Sequence, residues 1–197
     1  RNNMDDNNWI IELQKALNHA LDDKYLELLL RDLSISDRLN EVNNKIKFDR
    51  LFDELMLIHK GNNSLMVYNT YKLCKYCQKN DEPYILLHEK GSLFLYYILG
   101  VINNNPIDYQ IIYEPYLGTF YNPKENDYVY IDVRPSFKTK IEKYCIQLFK
   151  QFNYAYIRNY DNGFGDYHLS FIDDETDPIK REKKNILLIS RPFIQIN

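Results

Sequence analysis

Apolar residues recur at helical spacing through the first third of the chain. From Trp9 to Leu21 they fall three or four positions apart, and the same spacing continues from Leu26 to Leu33. This spacing is typical of a helix with one buried face, so we expect two short helices or one bent helix here. A stronger amphipathic helix is predicted between Phe48 and Ile58, and Gly61 is placed to close it.

The middle of the chain alternates predicted helices with a short predicted strand. Helical spacing extends from Leu65 to Gln78, and an Asn-Asp-Glu-Pro turn at residues 80–83 ends it. The apolar run from Tyr84 to Leu87 has the length of a strand. A buried helix is predicted from Leu93 to Leu99, and Gly100 follows it where a left-handed C-terminal cap is favoured.

The last third of the chain predicts one more helix among several strands. Aromatic and β-branched residues from Tyr128 to Val133 predict a strand, which Pro135 ends. Helical spacing returns between Ile141 and Phe149. Further strands are predicted at Tyr154 to Ile157, His168 to Ile172 and Ile186 to Ile189. The whole pattern predicts an α+β fold, with a helical N-terminal segment over residues 1–46 and one domain over residues 47–197.

Composition is that of an ordinary globular protein. The 197 residues suit one domain with a helical appendage, and 45% hydrophobic with 27% charged residues is typical of a chain that folds around a core. No apolar run approaches the roughly 18 residues that cross a bilayer, and the start does not resemble a signal peptide. We therefore expect a cytoplasmic protein without membrane contact. Because the first residue is Arg1, we also expect a cleaved product or one part of a larger protein.

Net charge restricts the expected partners. A formal charge of −3 contrasts with the basic surplus of proteins that hold duplex DNA through many phosphates, so strong autonomous DNA binding is not expected. Four lysines nevertheless recur along one segment: Lys138, Lys140, Lys143 and Lys150. They indicate either a local basic face or an ordinary solvated helix face.

The cysteines favour a reducing compartment, because three is an odd number and suits a disulfide framework poorly. Cys74 and Cys77 form a CxxC pair that falls inside a predicted helix. No second pair completes a tetrahedral zinc site, so no metal role is assigned to these thiols.

Two stretches of the middle region carry a recognisable motif. The first resembles the form L..EL..I...G at Leu51, Glu54, Leu55, Ile58 and Gly61, with one residue fewer before the glycine. The second is GSLFLYYILG at residues 91–100, followed by PIDY at 106–109 and IIYEPYL at 111–117. On these motifs, the chain from about Phe48 to Tyr156 resembles the palm module of bacterial C-family replicative DNA polymerases, the α subunit of DNA polymerase III and its PolC relatives. The resemblance covers about half of the chain and implies a polymerase-β-like nucleotidyltransferase palm.

The resemblance also assigns positions to the catalytic acids. The family has an acidic strand followed by a helix after the matched region, and the strand from Tyr128 to Val133 occupies that place here. Tyr128 and Tyr130 fall where the family has catalytic aspartates, and Asp132 is the one acid that survives. Such palms hold two divalent ions about 4 Å apart between carboxylates, and a neutral phenol is a poor ligand for magnesium. No bound metal or other cofactor is therefore expected.

Other acids would have to complete the site in an active enzyme. Asp127 would face away from Asp132 in a regular strand, because side chains alternate between the two faces. Asp166, Asp173 and Asp174 lie further along the chain and are interpreted as turn residues.

The phosphate-binding loop of the family is changed as well. The family's GRGS run, whose backbone N–H groups and arginine receive the triphosphate, is replaced by Ile-Leu-Leu-His at residues 85–88. Lys90, Gly91 and Ser92 remain as candidate phosphate contacts at the start of the next helix. The alternative is a glycine that permits close helix packing and a serine that caps the helix.

These departures predict a pseudoenzyme. It would be a degenerate C-family palm that acts as a structural or docking part of a replication or mobile-element protein, with a protein partner and weak nucleic-acid contact. One alternative is an active DNA polymerase that uses magnesium and draws acids from unrecognised positions, so that Asp132→Ala abolishes incorporation. Another is an unrelated protein-interaction domain, which would lack the helix and strand order of a palm.

Overall fold

The protein has an α+β fold, as its apolar pattern predicts. The computed structural model describes residues 8–17, 22–87, 93–110, 129–161, 167–173, 176–177 and 183–189. The chain divides into two compact units. The helical unit comprises residues 1–71 and 89–123, and the sheet unit comprises residues 72–88 and 124–197. These groupings do not test the domain boundary expected after residue 46, which stays a prediction.

Short helices dominate the described part of the helical unit. Their bounds are α1 (Asn8–Ala16), α2 (Lys24–Ser34), α3 (Lys45–Lys60), α4 (Ser64–Lys79) and α5 (Phe94–Ile98), with a 3-10 turn at Leu39–Glu41. Helix α4 contributes its first half to this unit and its second half to the sheet unit. The N-terminal apolar repeat thus forms two separate helices. Their buried leucines, such as Leu13, Leu29 and Leu33, are fully removed from solvent.

The side chain of Asp23 caps α2 and contacts two further helices. The Asp23 carboxylate accepts hydrogen bonds from the backbone N–H groups of Tyr25 and Leu26, both at 3.1 Å. Its other oxygen lies 2.9 Å from Nδ1 of His59 and accepts a hydrogen bond from the Ser64 hydroxyl. One carboxylate therefore connects the start of α2 with the end of α3 and the start of α4.

Helices α3 and α5 end where the sequence predicts, but after α3 the residue with left-handed backbone geometry is not the expected glycine. Helix α3 is followed by Gly61, as expected, but Gly61 has φ −81° and the left-handed residue is Asn62, with φ 56°. After α5, Gly100 has φ 79° and forms the left-handed cap that the sequence predicts. At the start of α3, the amide oxygen of Asn44 caps the helix by accepting a hydrogen bond from the Lys47 N–H at 2.9 Å.

The sheet unit contains a five-stranded mixed sheet. Its strands are β1 (Tyr84–Leu87), β2 (Val129–Val133), β3 (Tyr154–Asp161), β4 (Tyr167–Asp173) and β5 (Lys183–Ile189). They lie in the order β1-β2-β5-β4-β3, in which β2 and β5 are parallel and the other neighbours are antiparallel. Helix α6 (Lys138–Lys150) follows β2 after a 3-10 turn that begins at Pro135.

One face of this sheet packs against α6. Phe149 of α6 stacks on Phe171 of β4 with ring centroids 4.0 Å apart. Leu169 lies two residues before Phe171 on β4 and is in register with Ile186 of β5. Ile186 is in turn in register with Val129, the first residue of β2. Because side chains alternate along a strand, Ile131 lies on this same face, and it is fully buried.

Candidate functional site

Strand β2 occupies the place that the resemblance implies for the catalytic strand, and it contains two of the predicted site residues. Asp132 is 6% exposed and Tyr130 is half-buried. Two residues separate them, so they lie on the same face of the sheet, opposite to Ile131 and away from α6. The other predicted site residues, Tyr128, Lys90, Gly91 and Ser92, lie outside the described residues.

Apolar residues flank Asp132 on both neighbouring strands. It is in register with Ile85 of β1 and with Ile189 of β5. Tyr130 is in register with leucines on the same two strands, Leu87 and Leu187. At these registers the sheet supplies no second carboxylate, so the described strands do not form a cluster of acids around Asp132.

Asp173 is too distant to complete a site with Asp132. It ends β4, and β5 lies between β4 and β2. Ile172 is in register with Lys183, at the opposite end of β5 from the partner of Asp132. At about 3.3 Å per residue, this offset separates the two aspartates by roughly 20 Å or more. Asp166 and Asp174 lie outside the described residues.

An ion pair that the sequence did not predict lies beside β1 and β2. Arg134, directly after β2, donates from Nε and Nη2 to the two oxygens of Glu82, at 2.8 and 2.6 Å. Glu82 precedes β1 in the turn after α4. The two-pronged geometry fixes the carboxylate against the guanidinium, so Glu82 connects the ends of the two strands.

The start of α5 is occupied by a carboxylate from α3. Glu54 is fully buried, and it accepts hydrogen bonds from the backbone N–H groups of Phe94 and Leu95, both at 2.9 Å. Arg50, one helical turn earlier, donates from Nε to Glu54 at 2.7 Å. Burial raises the pKa of the Glu54 carboxyl, against the opposing influence of Arg50 and the two amides.

This arrangement changes the interpretation of the candidate phosphate loop. The amides of Phe94 and Leu95 are the donors that a helix start could offer to an anion, and they already bind Glu54. Glu54 belongs to the first motif, which by itself indicates no role for this carboxylate. The available signal was an acid on the apolar face of α3, beside Leu51 and Leu55.

Burial disfavours the ionised form of the three thiols. Cys74, Cys77 and Cys145 are free cysteines and are buried. Burial raises the pKa of Cys77 to about 12 and raises the pKa of Cys74 and Cys145 well above the ordinary value. The thiols therefore stay protonated near neutral pH.

Two further observations concern metals and membranes. Across the described ranges, no three His, Cys, Asp or Glu side chains come together as a metal-binding group. Of the helices that the structure describes, none combines the length and the apolar character needed to span a bilayer.

Comparisons of the chain with models of protein families, with curated proteins and with solved structures found no match. The resemblance to the polymerase palm therefore rests on the sequence motifs alone.

Proposed function

We propose that this chain is a degenerate C-family palm module that does not polymerise. In this proposal it acts in the cytoplasm as a structural or docking part of a replication or mobile-element protein, through a protein partner. A module that keeps the helices and strands of a palm but lacks its acids would suit such a role.

The order of the elements supports the proposed relationship. The resemblance implies two helices, a short strand, a buried helix, a strand and a further helix, and the chain has α3, α4, β1, α5, β2 and α6 in that order. Glu54 also joins the two stretches that carry the resemblance, because it lies in the first and binds Phe94 and Leu95 in the second. A chance match of two unrelated stretches would not require them to be in contact.

The surroundings of Asp132 support the loss of catalysis, and this observation carries the proposal. Nucleotidyl transfer with two metal ions needs carboxylates that converge on the cations. Asp132 has a tyrosine as its nearest same-face neighbour on β2, and isoleucines flank it on β1 and β5. Hydrocarbon side chains cannot replace the oxygen ligands that magnesium prefers.

A primer-extension assay tests the proposal. The chain is incubated with a primed template, the four nucleotides and either Mg²⁺ or Mn²⁺, beside Asp132→Asn as a matched variant. We expect incorporation by the wild-type chain to equal that of Asp132→Asn, at the background without protein. Metal-dependent incorporation that disappears in Asp132→Asn would overturn the proposal and establish the enzyme alternative.

Restoring an acid tests whether the palm's positions have been assigned correctly. Tyr130→Asp would add a carboxylate on the same face as Asp132, two residues away. We expect this variant to bind Mn²⁺ detectably, with paramagnetic broadening of NMR signals centred on β2, and the matched surface variant Tyr109→Asp to show none. A folded Tyr130→Asp chain with no broadening at β2 would contradict the assignment.

A further inference from the structure

Two helices of the sheet unit carry rows of lysines. In the second half of α4, Lys72, Lys75 and Lys79 follow one another at spacings of three and four, which places them on one side of the helix; Lys79 is exposed, and Lys72 and Lys75 are half-buried. In α6, Lys140, Lys143 and Lys150 are all exposed, and their spacings of three and seven also place them on one side. We call these six residues the lysine face.

Few acids lie within the two helices that carry these lysines. Helix α4 contains no acidic residue, and Glu142 is the one acid within α6. Glu142 is half-buried and lies about a quarter turn or more away from the row formed by Lys140, Lys143 and Lys150. Because the whole chain has a formal charge of −3, this positive charge is a local concentration and not a general property of the surface.

The two rows lie beside each other. Tyr76 of α4 stacks on Tyr144 of α6, with ring centroids 4.0 Å apart and an interplanar angle of 13°. Lys140 donates from Nζ to Oδ1 of Asn80, directly after α4, at 2.9 Å. Helices in such contact run about 8–10 Å apart, so the lysines form two neighbouring rows.

The lysine face is separate from the candidate site on β2. Helix α6 covers the sheet face of Ile131 and Phe171, whereas Asp132 and Tyr130 lie on the opposite face. A ligand held by the exposed lysines of α6 would therefore not contact Asp132.

We propose that the lysine face binds the phosphate backbone of duplex DNA without regard to sequence. Lysine is a compact cation that suits single phosphate contacts. It is depleted in protein–protein interfaces, whose centres favour tryptophan, tyrosine and arginine. The two tyrosines between the rows stack on each other, so they do not present free rings to a partner.

Two features favour a duplex over a single strand or a membrane: the double row of lysines and the buried apolar side of α6. A duplex presents two phosphate rows at once, whereas a single strand presents one and is usually held by stacking of its bases on aromatic rings. An anionic membrane is bound by helices that insert apolar side chains. The apolar side of α6, including Ile141 and Phe149, is buried within the sheet unit instead.

Fluorescence anisotropy with a labelled 30-base-pair duplex of mixed sequence tests the proposal on the full chain. If all six lysines contact phosphates, the logarithm of the binding constant falls with the logarithm of salt concentration with a slope of about −5. The triple variant Lys140→Gln, Lys143→Gln, Lys150→Gln should make this slope shallower by about 3. It should also weaken binding at low salt at least tenfold.

The matched control removes the same charge elsewhere on the chain. The control is the triple variant Lys45→Gln, Lys47→Gln, Lys60→Gln, whose substituted residues are all on α3 of the helical unit. It should bind the duplex as the wild type does. Circular dichroism establishes that both triple variants are folded.

Several outcomes would overturn the proposal. One is that the chain does not bind the duplex at 50 mM salt, and another is that the α3 control loses as much affinity as the α6 triple variant. A third is that the chain binds a single strand, poly-glutamate or phosphatidylglycerol vesicles more tightly than the duplex. Primer extension by the wild-type chain would overturn the proposed function and leave this test unaffected, because the two experiments report on opposite faces of the sheet.

Discussion

Two buried carboxylates, Glu54 in the helical unit and Asp132 in the sheet unit, have very different surroundings. Glu54 is met by a guanidinium and two backbone N–H groups, all within 2.9 Å. Asp132 lies on a strand whose neighbours place isoleucines beside it. The first carboxylate is part of the framework that positions α5. The second stands at the position that the resemblance implies to be catalytic, and on the described neighbouring strands no carboxylate is in register with it. Burial alone therefore does not reveal the role of an acid.

The largest effect is expected from Glu54→Ala. It would leave Arg50 and the amides of Phe94 and Leu95 buried without their acceptor, which should lower the free energy of unfolding by about 3–5 kcal/mol. Chemical denaturation measures this change. The exposed Glu12→Ala should stay within about 0.5 kcal/mol of the wild type. A loss below 1 kcal/mol for Glu54→Ala would remove the distinction between the two carboxylates.

The next effect concerns the coupling of Glu54 to Arg50. A double-mutant cycle with Arg50→Met and Glu54→Gln should give a coupling energy of about 0.5–3 kcal/mol, as found for contacting residues in one network. Lys45 and Asp49 have the same spacing on the same helix but are exposed, at 84% and 48%. Their cycle should give no more than about 0.5 kcal/mol. Equal coupling energies in the two pairs would mean that burial does not strengthen the interaction between Arg50 and Glu54.

The pH dependence of stability should also single out Glu54. Its pKa is raised in the folded chain by burial. The stability that this group contributes is therefore fully present below its ordinary pKa and is lost as the pH rises through the raised value. The difference in free energy of unfolding between the wild type and Glu54→Gln, measured by denaturation, should fall as the pH rises from the ordinary value toward neutrality. A difference that grows with pH would mean that Arg50 and the amides outweigh burial.

The smallest effect is expected from Asp132→Asn. The amide keeps the shape of the carboxylate and one of its two acceptor oxygens, so the free energy of unfolding should change by less than about 1 kcal/mol. Thermal and chemical denaturation measure it. A loss as large as that of Glu54→Ala would show that Asp132, too, is part of the framework.

Much of the fold follows from local patterns in the sequence. Apolar spacing locates α3 and α6 within a few residues, the Asn-Asp-Glu-Pro turn separates α4 from β1, and Gly100 caps α5 as expected. These features depend on residues close together in the chain. The strand order β1-β2-β5-β4-β3 depends on pairing between strands far apart in the chain, which local patterns do not specify.

The candidate site was predictable only in part, for the same reason. Side-chain alternation along a strand places Tyr130 and Asp132 on one face of β2. The role of Glu54 was missed because its partners Phe94 and Leu95 lie 40 or more residues away and a motif does not reveal that contact. The pairing of Arg134 with Glu82 depends on β1 and β2 being neighbours, which local patterns do not specify.

Three helices are followed by a left-handed residue that is not glycine. Asn62 follows α3, Asp81 follows α4 and Asn153 follows α6, with φ of 56°, 54° and 63°. All three are exposed, and exposed positions usually accept almost any residue. Here a branched or bulky side chain would collide with its own backbone, whereas glycine, asparagine and aspartate fit. In a survey of random variants, these solvent-facing positions should therefore be as selective as the hydrophobic interior.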